Sequence, residues 1–193
     1  GVCDRLFQFG IRGPVVVCCG PGNNGGDGFV VAIHLDLRYA TVRVCLFDPI
    51  ELYRGDAAIQ LQVLRKSGVP LEVFSPEVDS ARFDRLLQGA GSIVDALLGT
   101  GFQGEIREPI ASAIRAINAS GVPVIAVDLP SGLDCDTGQA AEPTIRARHT
   151  LTFVGRKRGF DQPDAQPYLG AVHVLDISAP RVLVEQVSRR AVN

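Results

Sequence analysis

Short apolar segments alternate with amphipathic segments along most of the chain. Seven of the apolar segments are four to seven residues long, and this length and composition predict β-strands. The first is apolar at every position, which is typical of a strand buried on both faces of a parallel sheet. The predicted strands lie at residues 15–19, 41–47, 71–74, 92–96, 123–127, 149–154 and 171–177.

The segments between these strands show the three- and four-residue spacing of apolar positions that predicts helices. Phe29, Ile33 and Leu37 form one such face. Residues 155–170 are interpreted as a polar, proline-containing excursion. Strands and helices that alternate in this way predict an α/β fold, with a mostly parallel sheet covered on both faces, in one domain over residues 1–193. The predicted helices lie at residues 1–10, 29–38, 56–67, 79–88 and 109–119, with a short one from residue 180.

Composition and charge narrow the classes of function. Of the 193 residues 46% are hydrophobic, which predicts an ordered domain, and the net charge of -2 gives no basic excess for nucleic acid or an anionic membrane. We see neither a membrane-spanning apolar run nor a signal peptide. The five cysteines form no C-x-x-C pair, and reduced thiols in a cytoplasmic protein are the simplest interpretation. The chain contains no methionine, so we expect the natural protein to begin earlier.

The segment Gly20-Pro21-Gly22-Asn23-Asn24-Gly25-Gly26-Asp27-Gly28 follows the first predicted strand. It contains the G-x-G-x-x-G pattern of dinucleotide-binding loops, and Asp48 lies near the expected position of a ribose-binding acid. However, a phosphate cradle does not need two amides and a carboxylate, and the carboxylate would repel a phosphate. A structural alternative is that Asn23, Asn24 and Asp27 only stabilise turns and cap the following helix.

Three polar clusters follow predicted strand ends, at residues 23–27, 95–105 and 128–131. With a strand order of three-two-one-four-five, they would meet at the carboxyl edge of the sheet, where α/β proteins bind ligands. Asp95 could instead cap backbone N–H groups, and Ser131 could hold its own turn. The tract Arg156-Lys157-Arg158 is interpreted as a solvated loop. Carboxylate and amide oxygens without histidine or thiolate partners suit a hard cation better than zinc.

Three motifs together resemble one family. They are Gly22-Asn23-Asn24-Gly25-Gly26-Asp27-Gly28, Val94-Asp95-Ala96-Leu97-Leu98-Gly99-Thr100-Gly101 and Asp128-Leu129-Pro130-Ser131-Gly132. In this order and spacing they are similar to the NAD(P)H-hydrate epimerases, the YjeF N-terminal domain family, over nearly the whole chain. The resemblance implies a Rossmann-like three-layer α/β/α sandwich that is often a homodimer, with two more helices before residue 1. Its members interconvert the R and S epimers of hydrated NADH or NADPH (NADHX and NADPHX). An ADP/ATP-dependent dehydratase then acts on the S epimer and restores the cofactor.

The resemblance also implies roles for individual residues. A potassium ion would be held by Asn24, Asp95 and Ser131. Asp128 is our candidate for the catalytic acid/base, and the Gly99-Thr100-Gly101 loop is our candidate for binding the substrate phosphates. The implied substrate contacts are Asn23, Asn24, Gly25, Gly26, Asp27, Gly99, Thr100, Gly101, Phe102, Gln103, Gly104, Glu105 and Asp128.

Two alternatives of other classes remain open at this point. The first is an NAD-dependent oxidoreductase, based on the literal glycine fingerprint and Asp48. Against it, no tyrosine has a lysine four residues later, and no second catalytic domain is visible. The second is a non-catalytic binding protein on the same fold.

Overall fold

A seven-stranded sheet, parallel at every pairing, forms the centre of the computed structural model, which describes residues 1–10 and 13–191. The strand order is β3-β2-β1-β4-β5-β6-β7, so the predicted parallel sheet and the order of its first five strands are confirmed. Residues 11–12 and 192–193, which the single-domain prediction includes, lie outside the described residues. The strands are β1 Val15–Cys19, β2 Val42–Leu46, β3 Leu71–Val73, β4 Ser92–Ala96, β5 Val124–Val127, β6 His149–Phe153 and β7 Ala171–Leu175.

Helices cover both faces of this sheet. β1 divides its side chains between the two layers: Val17 packs in one core with Phe29 of α2, and Val16 packs in the other with Ile114 of α5. The three-layer α/β/α arrangement is therefore confirmed. The helices are α1 Val2–Gln8, α2 Asn23–Asp36, α3 Gly55–Ser67, α4 Pro76–Gln88, α5 Ile110–Ala119, α6 Gln166–Leu169 and α7 Arg181–Ala191.

The predicted start of α2 was wrong. The helix after the glycine segment begins at Asn23 and not at Phe29, so most of the glycine segment is helical. The excursion at residues 155–170 contains the 3-10 turns Arg158–Asp161 and Pro163–Ala165 and then α6. Phe160 and Leu169 of this segment pack in a small separate core. The polar residues and prolines around them hid these apolar positions in the sequence.

Close packing explains why glycines occur inside α2. A Cβ atom on Gly25 would lie 1.9 Å from the carbonyl oxygen of Gly20. One on Gly28 would lie 2.6 Å from Cys19 Sγ and 2.7 Å from Ala96 Cβ. The glycines therefore let the first turns of the helix lie directly against β1 and β4, and this packing outweighs the low helix propensity of glycine.

Candidate functional site

An open cavity of about 620 Å³ lies at the carboxyl edge of the sheet, beyond β1, β4 and β5. Segments from all three predicted polar clusters line it, so the structure brings these distant parts of the chain together. The sequence-predicted site residues among its walls are Asn23, Asn24, Asp27, Gly99, Thr100, Gly101, Phe102 and Asp128.

Other predicted contact residues do not line this cavity. Gly25 and Gly26 are buried within α2, where Gly26 packs against Ala57 of α3. Residues 103–105 (Gln103, Gly104 and Glu105) are exposed beyond the cavity wall. Their contacts with a substrate stay predictions.

The side chain of Asn24 joins the first loop to the loop after β4. Its Nδ2 atom donates a hydrogen bond to the carbonyl oxygen of Leu98 at 2.9 Å. Its Oδ1 atom is buried and accepts no hydrogen bond from any described residue. Because a buried acceptor without a partner is costly, this oxygen is available to a donor or a cation.

Asp95 is fully buried at the end of β4. Its Oδ1 accepts hydrogen bonds from the Ser131 hydroxyl at 2.5 Å and the Leu97 N–H at 3.2 Å, and its Oδ2 accepts from the Ser131 N–H at 2.8 Å. Burial raises the pKa of Asp95 to about 6 even though these hydrogen bonds act in the opposite direction. The carboxylate form would therefore gain from a positive charge nearby.

Leu98 connects these two buried groups. Its carbonyl oxygen accepts from Asn24, and its N–H donates to the Ser131 hydroxyl oxygen at 2.9 Å. The predicted metal ligands Asn24, Asp95 and Ser131 are thus parts of one connected network. Its donor set consists of oxygen atoms with one formal negative charge. Such a set fits a weakly charged hard cation in chemical type.

Asp128 lies at the end of β5 with a left-handed backbone conformation, at φ 65°. One oxygen, Oδ1, accepts from the Thr152 hydroxyl and the Phe153 N–H, both at 3.1 Å. The same oxygen lies 2.6 Å from Lys157 Nζ. A non-glycine residue held at positive φ indicates that the surrounding contacts fix this carboxylate in place.

Sequence reasoning missed Lys157, which was assigned to a solvated loop. Its side chain is mostly buried, with an exposure of 20%, and its ammonium group faces the one carboxylate that we had selected as catalytic. The charge run gave no indication of which of its three members would turn inward. Arg156, its neighbour, pairs with Asp161 at the surface instead.

Asp27 is the second carboxylate of the cavity. It lies on the first turns of α2, in the cavity wall, and is exposed. Burial raises the pKa of Asp27, and the charge of Asp128 adds to that shift. The cavity therefore holds two carboxyl groups in different surroundings, one paired with an ammonium group and one not.

The glycines of the G-x-G-x-x-G pattern serve helix packing in this structure. A Cβ atom on Gly20 would lie 1.9 Å from the Leu97 carbonyl oxygen, and Gly25 packs against Gly20 in turn. Only Gly22 of the three fingerprint glycines lines the cavity, and Asp48 does not line it. The fingerprint therefore serves the packing of α2, which removes the main support for the oxidoreductase alternative.

Comparisons with known proteins agree on one family. The family model described as YjeF-related protein N-terminus matches residues 8–159. NAD(P)H-hydrate epimerase of Rhodopirellula baltica is 38% identical over 188 residues, which cover 97% of this chain and 75% of that protein. The protein of the same name from Pirellula staleyi is 42% identical over 173 residues, which cover 90% of this chain and 76% of that protein.

Larger relatives and a solved structure extend the comparison. The bifunctional NAD(P)H-hydrate repair enzyme of Moorella thermoacetica is 42% identical over 94% of this chain, which corresponds to 34% of that enzyme. The crystal structure of a yeast protein is similar with a TM-score of 0.78 at 25% identity, covering 96% of this chain and 79% of that one.

Proposed function

The chain belongs to the family of YjeF-related proteins, whose N-terminal domain it matches, and we propose that it interconverts the R and S epimers of hydrated NADH and NADPH. It is then an isomerase of nicotinamide cofactor repair. One structural observation carries the proposal: the three family motifs, far apart in sequence, contribute to one cavity with Asp128 in its wall.

The reaction inverts a carbon that bears a hydroxyl group next to the ring nitrogen. The C–O bond breaks and the hydroxyl leaves as water with a proton from a carboxyl group, while the nitrogen lone pair forms a C=N bond. Water then adds to either face of the resulting cation and gives a proton to a carboxylate. No net oxidation occurs. Asp128 is the group proposed to exchange protons with the substrate, with Asp27 as the second carboxyl group of the cavity.

We also propose that a potassium ion binds at the network of Asn24, Asp95 and Ser131. The buried Oδ1 of Asn24 without a partner and the buried carboxylate of Asp95 support this assignment. When bound, the ion offsets negative charge beneath the cavity. These residues meanwhile keep the first loop and the loop after β4 in contact through Leu98.

The phosphates of the substrate are assigned to the Gly99-Thr100-Gly101 loop, because Asp27 makes the first loop a poor site for an anion. A structure with the bound dinucleotide tests this placement. Pyrophosphate packed on residues 20–25, with the adenosine ribose at Asp48, would contradict it.

A partner enzyme follows from the chemistry, since epimerisation alone does not remove the hydrate. The bifunctional repair enzymes among the relatives support a link to an ADP/ATP-dependent dehydratase.

We further propose that the protein is a homodimer and that it is located in the cytoplasm. Its five free cysteines are consistent with a reducing compartment. Light scattering after size-exclusion chromatography tests the dimer. Among the described residues, no helix has the length and apolarity needed to cross a membrane.

A chromatographic assay of the two epimers tests the function directly. The purified protein should bring a pure R or S hydrate to the equilibrium mixture much faster than buffer alone. Asp128→Asn serves as the matched control. Epimers that equilibrate no faster with the protein than without it would refute the proposal, and consumption of NADH with candidate substrates would favour the oxidoreductase instead.

A further inference from the structure

The ion pair between Lys157 and Asp128 is the least exposed ion pair among the side chains that the structure describes. The two side chains are 20% and 15% exposed, and Nζ lies 2.6 Å from Oδ1. Each other ion pair of the described side chains has at least one partner that is more exposed, as in Arg156 with Asp161. Partial removal from water strengthens the attraction and makes loss of one partner costly, because a buried charge would remain.

The path of the chain between β6 and Lys157 is fixed at several points. Val154 has a left-handed backbone, at φ 66°, and Gly155 N–H donates to the Phe153 carbonyl oxygen at 2.7 Å. After Lys157, the Phe160 N–H donates to the Lys157 carbonyl oxygen at 3.1 Å, and the Phe160 ring is fully buried. A β-branched residue at positive φ is unfavourable, so the fold tolerates strain in the turn that brings Lys157 back to Asp128.

The contacts on Asp128 are distributed unequally between its oxygens. The Thr152 hydroxyl, the Phe153 N–H and the Lys157 ammonium all reach Oδ1. The second oxygen, Oδ2, has no hydrogen bond to any residue in ranges 1–10 and 13–191. Because Asp128 lines the cavity, Oδ2 is the oxygen available to a ligand.

We propose that Lys157 is a positioning residue for epimerisation: it holds the Asp128 side chain with Oδ1 engaged and Oδ2 free to give a proton to the leaving hydroxyl and to take one back from the incoming water. The proposal rests on the proposed function. It assigns the charge of Lys157 to Asp128 and not to the phosphates of the substrate. Two further titratable groups interact with this pair: Asp27 of α2 with Asp128, and the thiol of Cys135 with Lys157.

Two roles for Lys157 predict different kinetics. A lysine that acts through Asp128 affects the chemical step, so its loss lowers kcat and leaves KM nearly unchanged. A lysine that binds substrate phosphate contributes equally to the ground state and the transition state, so its loss raises KM with kcat retained.

The test compares Lys157→Met, Lys157→Arg, Asp128→Asn and the double variant Lys157→Met/Asp128→Asn with the parent chain. Arg156→Met, which removes the adjacent exposed cation, is the matched control. We expect Lys157→Met to lower kcat by about 10- to 100-fold with KM changed less than about 3-fold, and Lys157→Arg to recover most of the rate. The double variant should be no slower than Asp128→Asn alone, because residues that act as a unit are not additive.

Thermal unfolding of the same set gives a readout that does not depend on turnover. If the pair interacts, the loss of melting temperature in the double variant is smaller than the sum of the two single losses. A raised KM with normal kcat in Lys157→Met, or rate losses that multiply in the double variant, would overturn the proposal. If the parent chain exchanges no epimers, the proposed function and the catalytic role of Lys157 are both overturned. In that case a non-additive loss of melting temperature in the double variant would still show that Lys157 and Asp128 interact.

Discussion

Ser131 binds both oxygens of the Asp95 carboxylate, with its hydroxyl at 2.5 Å from Oδ1 and its backbone N–H at 2.8 Å from Oδ2. The two residues are 36 positions apart in the chain. Asp95 lies at the end of β4, and Ser131 lies beyond the neighbouring strand β5. Both are fully buried. The pair therefore fixes the relative position of two loops that border the cavity.

Asp95→Ala should lower stability and remove its dependence on potassium. The change leaves the Ser131 and Leu97 N–H groups without their buried acceptor, which costs about 2–4 kcal/mol. An ion that binds only the folded state raises the melting temperature by mass action. Thermal unfolding in potassium chloride and in tetramethylammonium chloride measures both effects, with the exposed Asp164→Ala as control. An unchanged difference between the two salts would show that the cation site is wrongly placed.

Asp128→Asn should reduce epimer exchange by about 10²- to 10⁴-fold, the usual contribution of general acid–base catalysis. The amide keeps the size of the side chain and an acceptor for Thr152 and Phe153, so the fold should persist. Circular dichroism checks the fold and the epimer assay checks the rate. Exchange close to that of the parent would remove Asp128 from the catalytic role.

Gly25→Ala should destabilise the protein by about 1–3 kcal/mol or more, because the new Cβ would meet the backbone carbonyl of Gly20 and neither group can move freely. Gly22→Ala is the control: nothing lies within 4 Å of its Cβ position, and its φ of -86° suits alanine. Denaturant unfolding compares the two. Equal stability of both variants would mean that α2 can shift away from β1.

Acid should weaken the packing of α1 against the sheet. His149 and His173 lie 3.3 Å apart at their ring nitrogens, and the Phe9 ring stacks on His149 at 3.9 Å. Burial lowers the pKa of each; the His149 pKa is lowered further by His173, and the His173 pKa by Arg5. The unfolded chain therefore binds more protons there, so this contribution to stability is present above about pH 6.5 and is lost as the pH falls.

The melting temperature of His173→Gln should therefore fall less than that of the parent when the pH is lowered from 7.5 to 5.5. This range extends roughly one pH unit on either side of the ordinary histidine pKa. The exposed His34→Gln serves as the control and should follow the parent. Identical pH profiles for the parent and His173→Gln would exclude the pair as the acid-sensitive group.

Val154→Asn should raise stability by about 1 kcal/mol, or about 2–4 °C in melting temperature, because asparagine tolerates the left-handed backbone better than valine. The side chain is 45% exposed, so little burial is lost. Val174→Asn, at a similarly exposed position in β7, should instead destabilise, since valine favours a strand. A Val154→Asn variant that melts at or below the parent would contradict the assignment of strain.

The central strands were predictable because their signals are local. Residues 15–19 lie between Pro14 and Gly20, and residues 92–96 follow Gly91; both strands were predicted with the bounds that the structure has. The meeting of the three polar clusters was also predictable, since parallel strands place their carboxyl ends at one edge.

The start of α2 and the role of Lys157 were not predictable in this way. Glycines at positions 25, 26 and 28 have low intrinsic helix propensity, and the contact of Gly25 with Gly20 becomes visible only when the helix lies on the sheet. Similarly, Lys157 reaches Asp128 through a turn with Val154 at positive φ, a conformation that valine rarely adopts and that no sequence pattern indicates.

The cavity takes its walls and its ion pair from the ends of β1, β4, β5 and the segment after β6, so no stretch of neighbouring residues contains it. Contacts between strands so distant along the chain form slowly, because the entropy of closing long loops is lost before the contacts contribute any stabilising energy. During refolding, local helices can return while Lys157 is still far from Asp128. Recovery of turnover after dilution from denaturant should therefore lag behind recovery of helical signal, and enzyme activity becomes a measure of completed long-range assembly.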